Sequence, residues 1–482
     1  MSKYRVMKRG SWALMTSACL IISLPSTPAV AATPDPLGVF YSQILQWTQC
    51  GQASCALVSV PLDYGQPGAK TIELSIRRIG SPDLPPLVIN PGGPGSEGTR
   101  FAQSIAASLD SSITAAYTPV GFDPRGTGDS APVRCFTGSS ANKWLRLDST
   151  PDSMAEAREY MSAAAKISSS CLKISPKISA HIGTEDTVRD MDIIRAALGS
   201  KKLNWLGFSY GTSLGTRYAE LFPSNVGRMV LDGAVDPSLD SMQLSQGQSV
   251  GFQKAIGRFD RRYPGSIAQI NRILRALDRT EMKTRGPQTL TQSEAVTAIF
   301  LSMYSTSFWA ELNQGLMDAK NGDGTLLQEL SYYANDQTAP TKFSSNTLSA
   351  FLAINCWDYP PTPMLKGLSN SARQFAKKTK VPELARAMSW GNAPCSTWFS
   401  HSSRKPAPAN TTTSAPILII GTTFDPATPL VWARALNRQL ATSSLLTFSS
   451  DGHTAYLGGS TCVDQVVNKF LLTGSEPEIK NC

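Results

Sequence analysis

Histidine is scarce in this chain: there are three in 482 residues. That scarcity leaves few ways to build a His-based metal site. It also shortens any search for a catalytic base. No run of Lys and Arg with interleaved aromatics lies beyond the first residues, which argues against nucleic acid as a partner. No stretch after the N-terminus is long and apolar enough to span a membrane. Internal repeats are missing, and nothing calls for a metal or an organic cofactor.

What is present begins with a leader. Lys3, Arg5, Lys8 and Arg9 form a positive region, Ser11 to Leu24 is mostly apolar, and Ala29-Val-Ala31 offers a small-residue cleavage site. The pattern predicts a signal peptide over 1–31 and a mature chain starting near Ala32. The apolar run is too short for a retained anchor. It also continues past Cys19, which argues against a lipoprotein. Removing 1–31 takes away four basic and no acidic residues, so the formal charge falls from +9 to +5. Secretion or delivery to the periplasm follows, with no stable membrane insertion after cleavage.

Nine cysteines become eight once Cys19 leaves. An even number in an exported chain suggests disulfides. The spacing suggests the neighbour pairs Cys50–Cys55, Cys135–Cys171, Cys356–Cys395 and Cys462–Cys482, one arrangement among the 105 that eight cysteines allow. Cys50 and Cys55 have no nearby His or second close Cys pair, which argues against zinc.

Along the mature chain, short apolar runs alternate with helical patterns. Thr71–Arg77 alternates as a half-exposed strand does. Leu87–Ile89, Val120–Phe122, Leu203–Leu206, Arg228–Leu231, Pro416–Ile420 and Leu445–Phe448 read as buried strands. Asp186–Leu198, stopped by Gly199, and Leu430–Leu440 read as helices. Between about 238 and 395, after the sixth strand, clear strands are missing and helical segments dominate. A polar stretch from Ser400 to Ser414 reads as a linker. The expectation is an α/β fold with a mostly parallel sheet, helices on both faces and an inserted helical cap. The core would comprise 32–237 and 396–482, and the cap 238–395.

Chemistry in such sheets gathers at the carboxyl ends of strands. At one such end lies Gly207-Phe-Ser209-Tyr-Gly211, which overlaps Gly211-Thr-Ser213-Leu-Gly215. A serine between two glycines at a strand-to-helix turn is the pattern of a nucleophile elbow. Strand placement favours Ser209. Ser213 falls one turn into the helix and is expected to point away from the site. Serine needs a base and an orienting acid. His181 and His401 lie away from strand ends, whereas His453 follows Leu445–Phe448. Asp425 follows the strand 416–420, and Asp451 is too close to His453 in sequence to meet it across a site. Ser209, Asp425 and His453 therefore stand as the candidate triad, in the chain order Ser, Asp, His. The backbone N–H groups of Tyr210 and of Gly93, in Asn90-Pro-Gly-Gly-Pro-Gly95, are the candidate oxyanion donors.

Taken together, these residues resemble the exported α/β-hydrolases of the prolyl and tripeptidyl aminopeptidase group, peptidase family S33. Val60-Pro-Leu-Asp-Tyr64, which resembles the family's opening strand and precedes the five strands read before the helical block, the loop Asn90–Gly95, Gly121-Phe-Asp-Pro-Arg-Gly-Thr-Gly-Asp-Ser130, the elbow and Val230-Leu-Asp-Gly-Ala-Val-Asp-Pro237 carry the likeness, as does the region 416–482. Ser96-Glu97 depart from the small residues usual after that loop. The resemblance implies an exported serine aminopeptidase acting on peptides with a free N-terminus, without a cofactor. An esterase of small esters is the alternative, and a binding protein with a decayed site the non-enzymatic one. A free α-ammonium group calls for a carboxylate partner, and Glu97 and Asp358 are the candidates.

Overall fold

Alternation along the strands sorts side chains onto two faces of one sheet. The computed structural model describes residues 35–482; the leader expected over 1–31 lies outside the described residues. Seven strands precede the helical block: β1 (Thr48–Cys50), β2 (Ala53–Pro61), β3 (Thr71–Arg78), β4 (Pro86–Asn90), β5 (Thr118–Phe122), β6 (Leu203–Phe208) and β7 (Val226–Asp232). A two-stranded ribbon, β8 (Gln337–Ala339) and β9 (Lys342–Phe343), lies within the block. β10 (Ile417–Phe424) and β11 (Ser443–Asp451) complete the sheet, whose order is β1-β2-β3-β5-β4-β6-β7-β10-β11. The first three strands pair antiparallel, as does β3 with β5; every later pair is parallel.

In β10 Ile417 and Ile419 enter one core with Val88, Trp205 and Leu231, while Leu418 and Ile420 enter the other with Leu87, Ile89 and Leu206. A sheet apolar on both faces must be covered on both faces. Helices Thr184–Ala197 and Tyr210–Leu221 pack against each other, while Gly98–Ala106 and Thr461–Thr473 carry residues of the second core. Gly199, at φ +69°, follows the first of these helices, as expected of a C-terminal stop.

The structure corrects the sequence reading in three places. The edge strand β1, too short to show a pattern, makes the helical block follow the seventh strand rather than the sixth. The block itself contains the β8–β9 ribbon. It is also joined by an earlier segment. Helices Gly138–Arg146 and Met154–Ile174 place Trp144 against Tyr160 at 4.9 Å, and Tyr160 against the block's Trp390 at 5.9 Å. Arg146 pairs there with Glu281 and Glu294. The block has a core of its own, in which Phe259, Ile270, Leu274, Ile299 and Leu312 are fully or almost fully buried.

The polar stretch 400–414 does connect the block to β10, and it does so strapped to the core. Asn410 N–H donates to Glu220 at 2.9 Å and Ala407 N–H to the Pro237 carbonyl at 3.1 Å. All eight cysteines pair with their sequence neighbours: Cys50–Cys55, Cys135–Cys171, Cys356–Cys395 and Cys462–Cys482. Two motifs noted in the sequence also meet. Arg125, fully buried, forms two 2.7 Å bonds to Asp190, while Tyr64 donates to the same carboxylate at 2.7 Å.

Candidate active site

β6 ends at Phe208, and the chain turns at Ser209 with φ +53° and ψ −122° before helix Tyr210–Leu221 begins. A non-glycine residue holds such angles only where its surroundings enforce them. Here Ser209 N–H donates to the Asp232 carbonyl at 2.8 Å, and Thr212 Oγ1 donates to the Ser209 carbonyl at 2.6 Å. The flanking glycines are steric requirements. A Cβ on Gly207 would lie 2.3 Å from Trp205 Nε1, and one on Gly211 would lie 3.0 Å from the Asn90 carbonyl.

The glycine-rich loop after β4 lies against this turn. Gly92 has φ +99°, and a Cβ there would fall 2.8 Å from Ser209 Cβ and 2.9 Å from Tyr210 N. Gly93 and Pro94 share a cavity wall with Ser209 and Tyr210. Tyr210 is the first residue of its helix, so its N–H has no carbonyl within the helix to bond. The loop is held close because the helix after it meets β5 through two glycines: a Cβ on Gly98 would lie 2.1 Å from the Phe122 carbonyl, and one on Gly121 would lie 2.1 Å from the Gly98 carbonyl.

His453 lies just past β11. Its Nδ1 is 2.8 Å and 3.0 Å from the two carboxylate oxygens of Asp425. Asp425 is buried and also accepts from Ala427 N, Thr428 N and Thr428 Oγ1, each at 2.8 Å. These donors hold the carboxylate in one orientation. Burial opposes protonation of His453, yet the charge and hydrogen bond of Asp425, with the charge of Asp232, outweigh it and hold the imidazole above its usual pKa. Nε2 of His453 is buried with no hydrogen-bond partner among the described residues. The His453 N–H donates to the Tyr304 carbonyl at 2.8 Å, and the Tyr304 ring meets the imidazole edge-on at 5.3 Å. A base oriented by an acid, a strained serine and free backbone donors, all at strand ends, are the equipment of acyl transfer.

The other candidates fall elsewhere. His181 sits 4.0 Å from Asp63, and His401 is exposed. Asp451 forms a two-pronged pair with Arg258 at 2.6 and 2.8 Å. Ser213 corrects the sequence reading: it does not turn away, but borders the same cavity as Ser209. Glu97 pairs with Arg100 at 2.6 Å and does not line that cavity. Asp358 does not line it either. It borders a small adjoining chamber, of about 50 Å³, that shares Tyr210, Ser213, Val235 and Tyr359 with the cavity. Its carboxylate accepts from Thr184 N at 2.8 Å and Thr184 Oγ1 at 2.6 Å, and burial, against those bonds, pushes its pKa up to about 7.

Residues 381–482 match the family described as TAP-like protein. The chain is 30% identical over 475 residues to serine protease Hip1 of Mycobacterium tuberculosis, covering 90% of each. It is 32% identical over 454 residues to the tripeptidyl aminopeptidase of Streptomyces lividans, covering 89% of this chain and 83% of that one. The chain belongs to the TAP-like family of α/β-hydrolases. It is a serine hydrolase. The chain is also 32% identical over 486 residues to carboxylesterase B of Mycobacterium tuberculosis, covering 93% of this chain and 91% of that one.

Sequence reasoning about this TAP-like site passed over Asp232. Its main-chain carbonyl accepts from Ser209, while its buried carboxylate accepts from Ala455 N at 2.9 Å and Tyr456 N at 2.8 Å. One residue thus ties the elbow to the loop that carries His453. Burial, against those two donors, pushes its pKa up to about 6. An aspartate closing an apolar strand, in Val230-Leu-Asp232, was the available signal. Tyr304 had none, because it comes from the helical block.

Proposed function

We propose that this protein is an exported serine aminopeptidase that releases short N-terminal peptides, with tripeptides the size suggested by its Streptomyces lividans relative. Ser209 attacks the scissile carbonyl, His453 takes its proton and returns it to the leaving amine, and Asp425 orients the imidazole. The N–H groups of Gly93 and Tyr210 stabilise the oxyanion, each worth about 3–4 kcal/mol in the transition state. Water then releases the acyl group. The observation that carries this reading is the 2.8 Å Asp425–His453 pair, in a loop that Asp232 ties to the elbow of Ser209. The leader-like N-terminus and the four disulfides support export.

Of the two acids considered for the substrate ammonium, Asp358 is favoured. Its chamber adjoins the cavity, and among the described residues no Lys or Arg lies within 4.0 Å of its carboxylate, although Arg217, Arg404 and Lys405 border the same chamber; Glu97 is already paired. Asp358→Asn is expected to raise KM for free-amine peptides at least ten-fold and leave N-acetylated ones little changed. Equal kinetics on both would remove Asp358 from the role.

A carboxylesterase is the second reading, favoured by the relative of that name. Chromogenic amides and esters, with and without an acetylated N-terminus, separate the two. Cleavage confined to esters would overturn the peptidase. A fluorophosphonate probe should label wild type and fail on Ser209→Ala.

A further inference from the structure

The cavity above Ser209 has a chemical character of its own. It measures about 330 Å³ and runs from Gly93 and Pro94 into the helical block. No Asp, Glu, Lys, Arg or His is among its lining residues. One wall is an aromatic ladder: Tyr304, edge-on to His453, lies 5.8 Å from Phe252, which meets Phe300 at 4.8 Å. Leu244, Leu352, Met388 and Trp432 complete the apolar surface. A charged side chain placed against this wall would lose hydration with no charged wall residue to pair with it, which is costly.

Besides the hydroxyls of Ser209, Ser213, Ser241, Ser245 and Thr428, three primary amides interrupt the apolar surface, each from a different element: Gln248 from helix Ser241–Arg262, Asn355 from helix Thr347–Asp358 and Asn392 from the turn after helix Pro382–Trp390. Each NH₂ group is anchored by at least one hydrogen bond. Gln248 Nε2 donates to the Ala427 carbonyl at 3.1 Å, Asn355 Nδ2 to the Phe351 carbonyl at 2.9 Å, and Asn392 Nδ2 to Ser245 Oγ at 2.7 Å. Among the described residues none of the three amide oxygens accepts a hydrogen bond. With its donor end anchored, each amide keeps its oxygen as an unused acceptor, and Gln248 and Asn355 keep one N–H each as well.

A cavity that offers acceptors and apolar walls, but no charge, fits a segment that brings N–H donors and uncharged side chains. That is a short apolar peptide; a simple ester has no N–H to give. We propose that Gln248, Asn355 and Asn392 form an N–H-accepting set that selects peptides with apolar, uncharged side chains in this cavity. The inference rests on the peptidase reading for its substrate, and it concerns binding, so it can be tested apart from cleavage.

The test measures how well unreactive ligands protect Ser209 of the mature enzyme from a fluorophosphonate probe. The ligands are tripeptides whose terminal carboxyl is reduced to a primary alcohol, leaving no scissile carbonyl there, with Leu or Phe side chains; the same compounds with Lys or Glu; and depsipeptide versions in which an internal N–H is replaced by oxygen. Wild type should favour apolar over charged side chains by about 100-fold. It should favour the N–H form over the depsipeptide on the order of ten-fold, the value of a buried hydrogen bond with its partner removed. Asn355→Leu and Gln248→Leu should shrink the N–H preference towards unity while the preference for apolar side chains persists. Met388→Glu should bring Lys peptides into the cavity. Equal protection by charged and apolar peptides, or by peptide and depsipeptide on wild type, overturns the proposal. An unchanged N–H preference in both leucine variants overturns it as well. If the apolar peptides protect yet no peptide is ever cleaved, the peptidase reading fails and the binding assignment stands.

Discussion

Nδ1 of His453 faces Asp425, so Nε2 is the atom left to exchange a proton. Asp425→Asn keeps the shape but presents a mixed donor and acceptor to Nδ1, and the imidazole loses its fixed tautomer. A fall in kcat of roughly ten-thousand-fold is expected on a chromogenic substrate, with fluorophosphonate labelling slowed in parallel. Asp232 acts on the same ring from further away. Its negative charge is one of the influences that keep the imidazole pKa up. An imidazole is a base only when deprotonated, so activity falls as pH drops through its pKa. Asp232→Asn removes the charge while its amide oxygen can still accept from Ala455 and Tyr456. The acid limb of kcat/KM should therefore move to lower pH, and an unmoved limb would refute the electrostatic role. Stability gives the opposite sign. The folded pKa of Asp232, about 6, lies above the ordinary carboxylate value. Its contribution to stability is thus present at low pH and lost as pH rises through 6. Asp232→Asn should flatten that part of the stability profile.

The loop after β4 and the elbow after β6 work as one element, because they touch through backbone. Gly92 is the point of contact, at a positive φ that favours glycine and with no space for a methyl group. Gly92→Ala should push Gly93 away from the oxyanion position. The expected loss in kcat is about 100- to 1,000-fold, with fluorophosphonate labelling slowed and circular dichroism unchanged. The strands, the elbow and the strand-end aspartate and histidine were legible in the sequence, because strand periodicity and turn chemistry are local. Other features were not. The site's dependence on Asp232 needs β7 beside both β6 and β10, which is a fact of sheet order. Ser213 was misplaced because its helix is flanked on that side by the block, and no local pattern reports what covers a helix. The ribbon β8–β9 and the edge strand β1 are three residues or fewer per strand, shorter than one full alternation.

Over the whole molecule, the parts are fastened at a few buried points. Arg125 is one. Besides Asp190 it donates to the carbonyls of Pro61, Leu62 and His181, each at 2.9 Å, so it joins β2, the loop after β5 and the helix that starts at Thr184. Arg125→Met leaves Asp190 a buried, uncompensated charge. The expected cost is about 3–5 kcal/mol, read from urea unfolding of the mature chain. The block's cavity was the least legible part of the sequence. Its walls are gathered from separate stretches between Gly93 and Trp432, and none of them outlines the cavity alone.

The Cys356–Cys395 bond is more than a fastener. Cys395 is itself part of the cavity wall, and Cys356 sits between Asn355 and Trp357 on the helix that brings Asn355 and Asp358 to their places. The shape of the substrate pocket is therefore linked to the redox state of the surroundings. A chain still inside a reducing cytoplasm would carry its serine, histidine and aspartate but an unfastened pocket. Formation of this one bond would then be the event that completes the pocket.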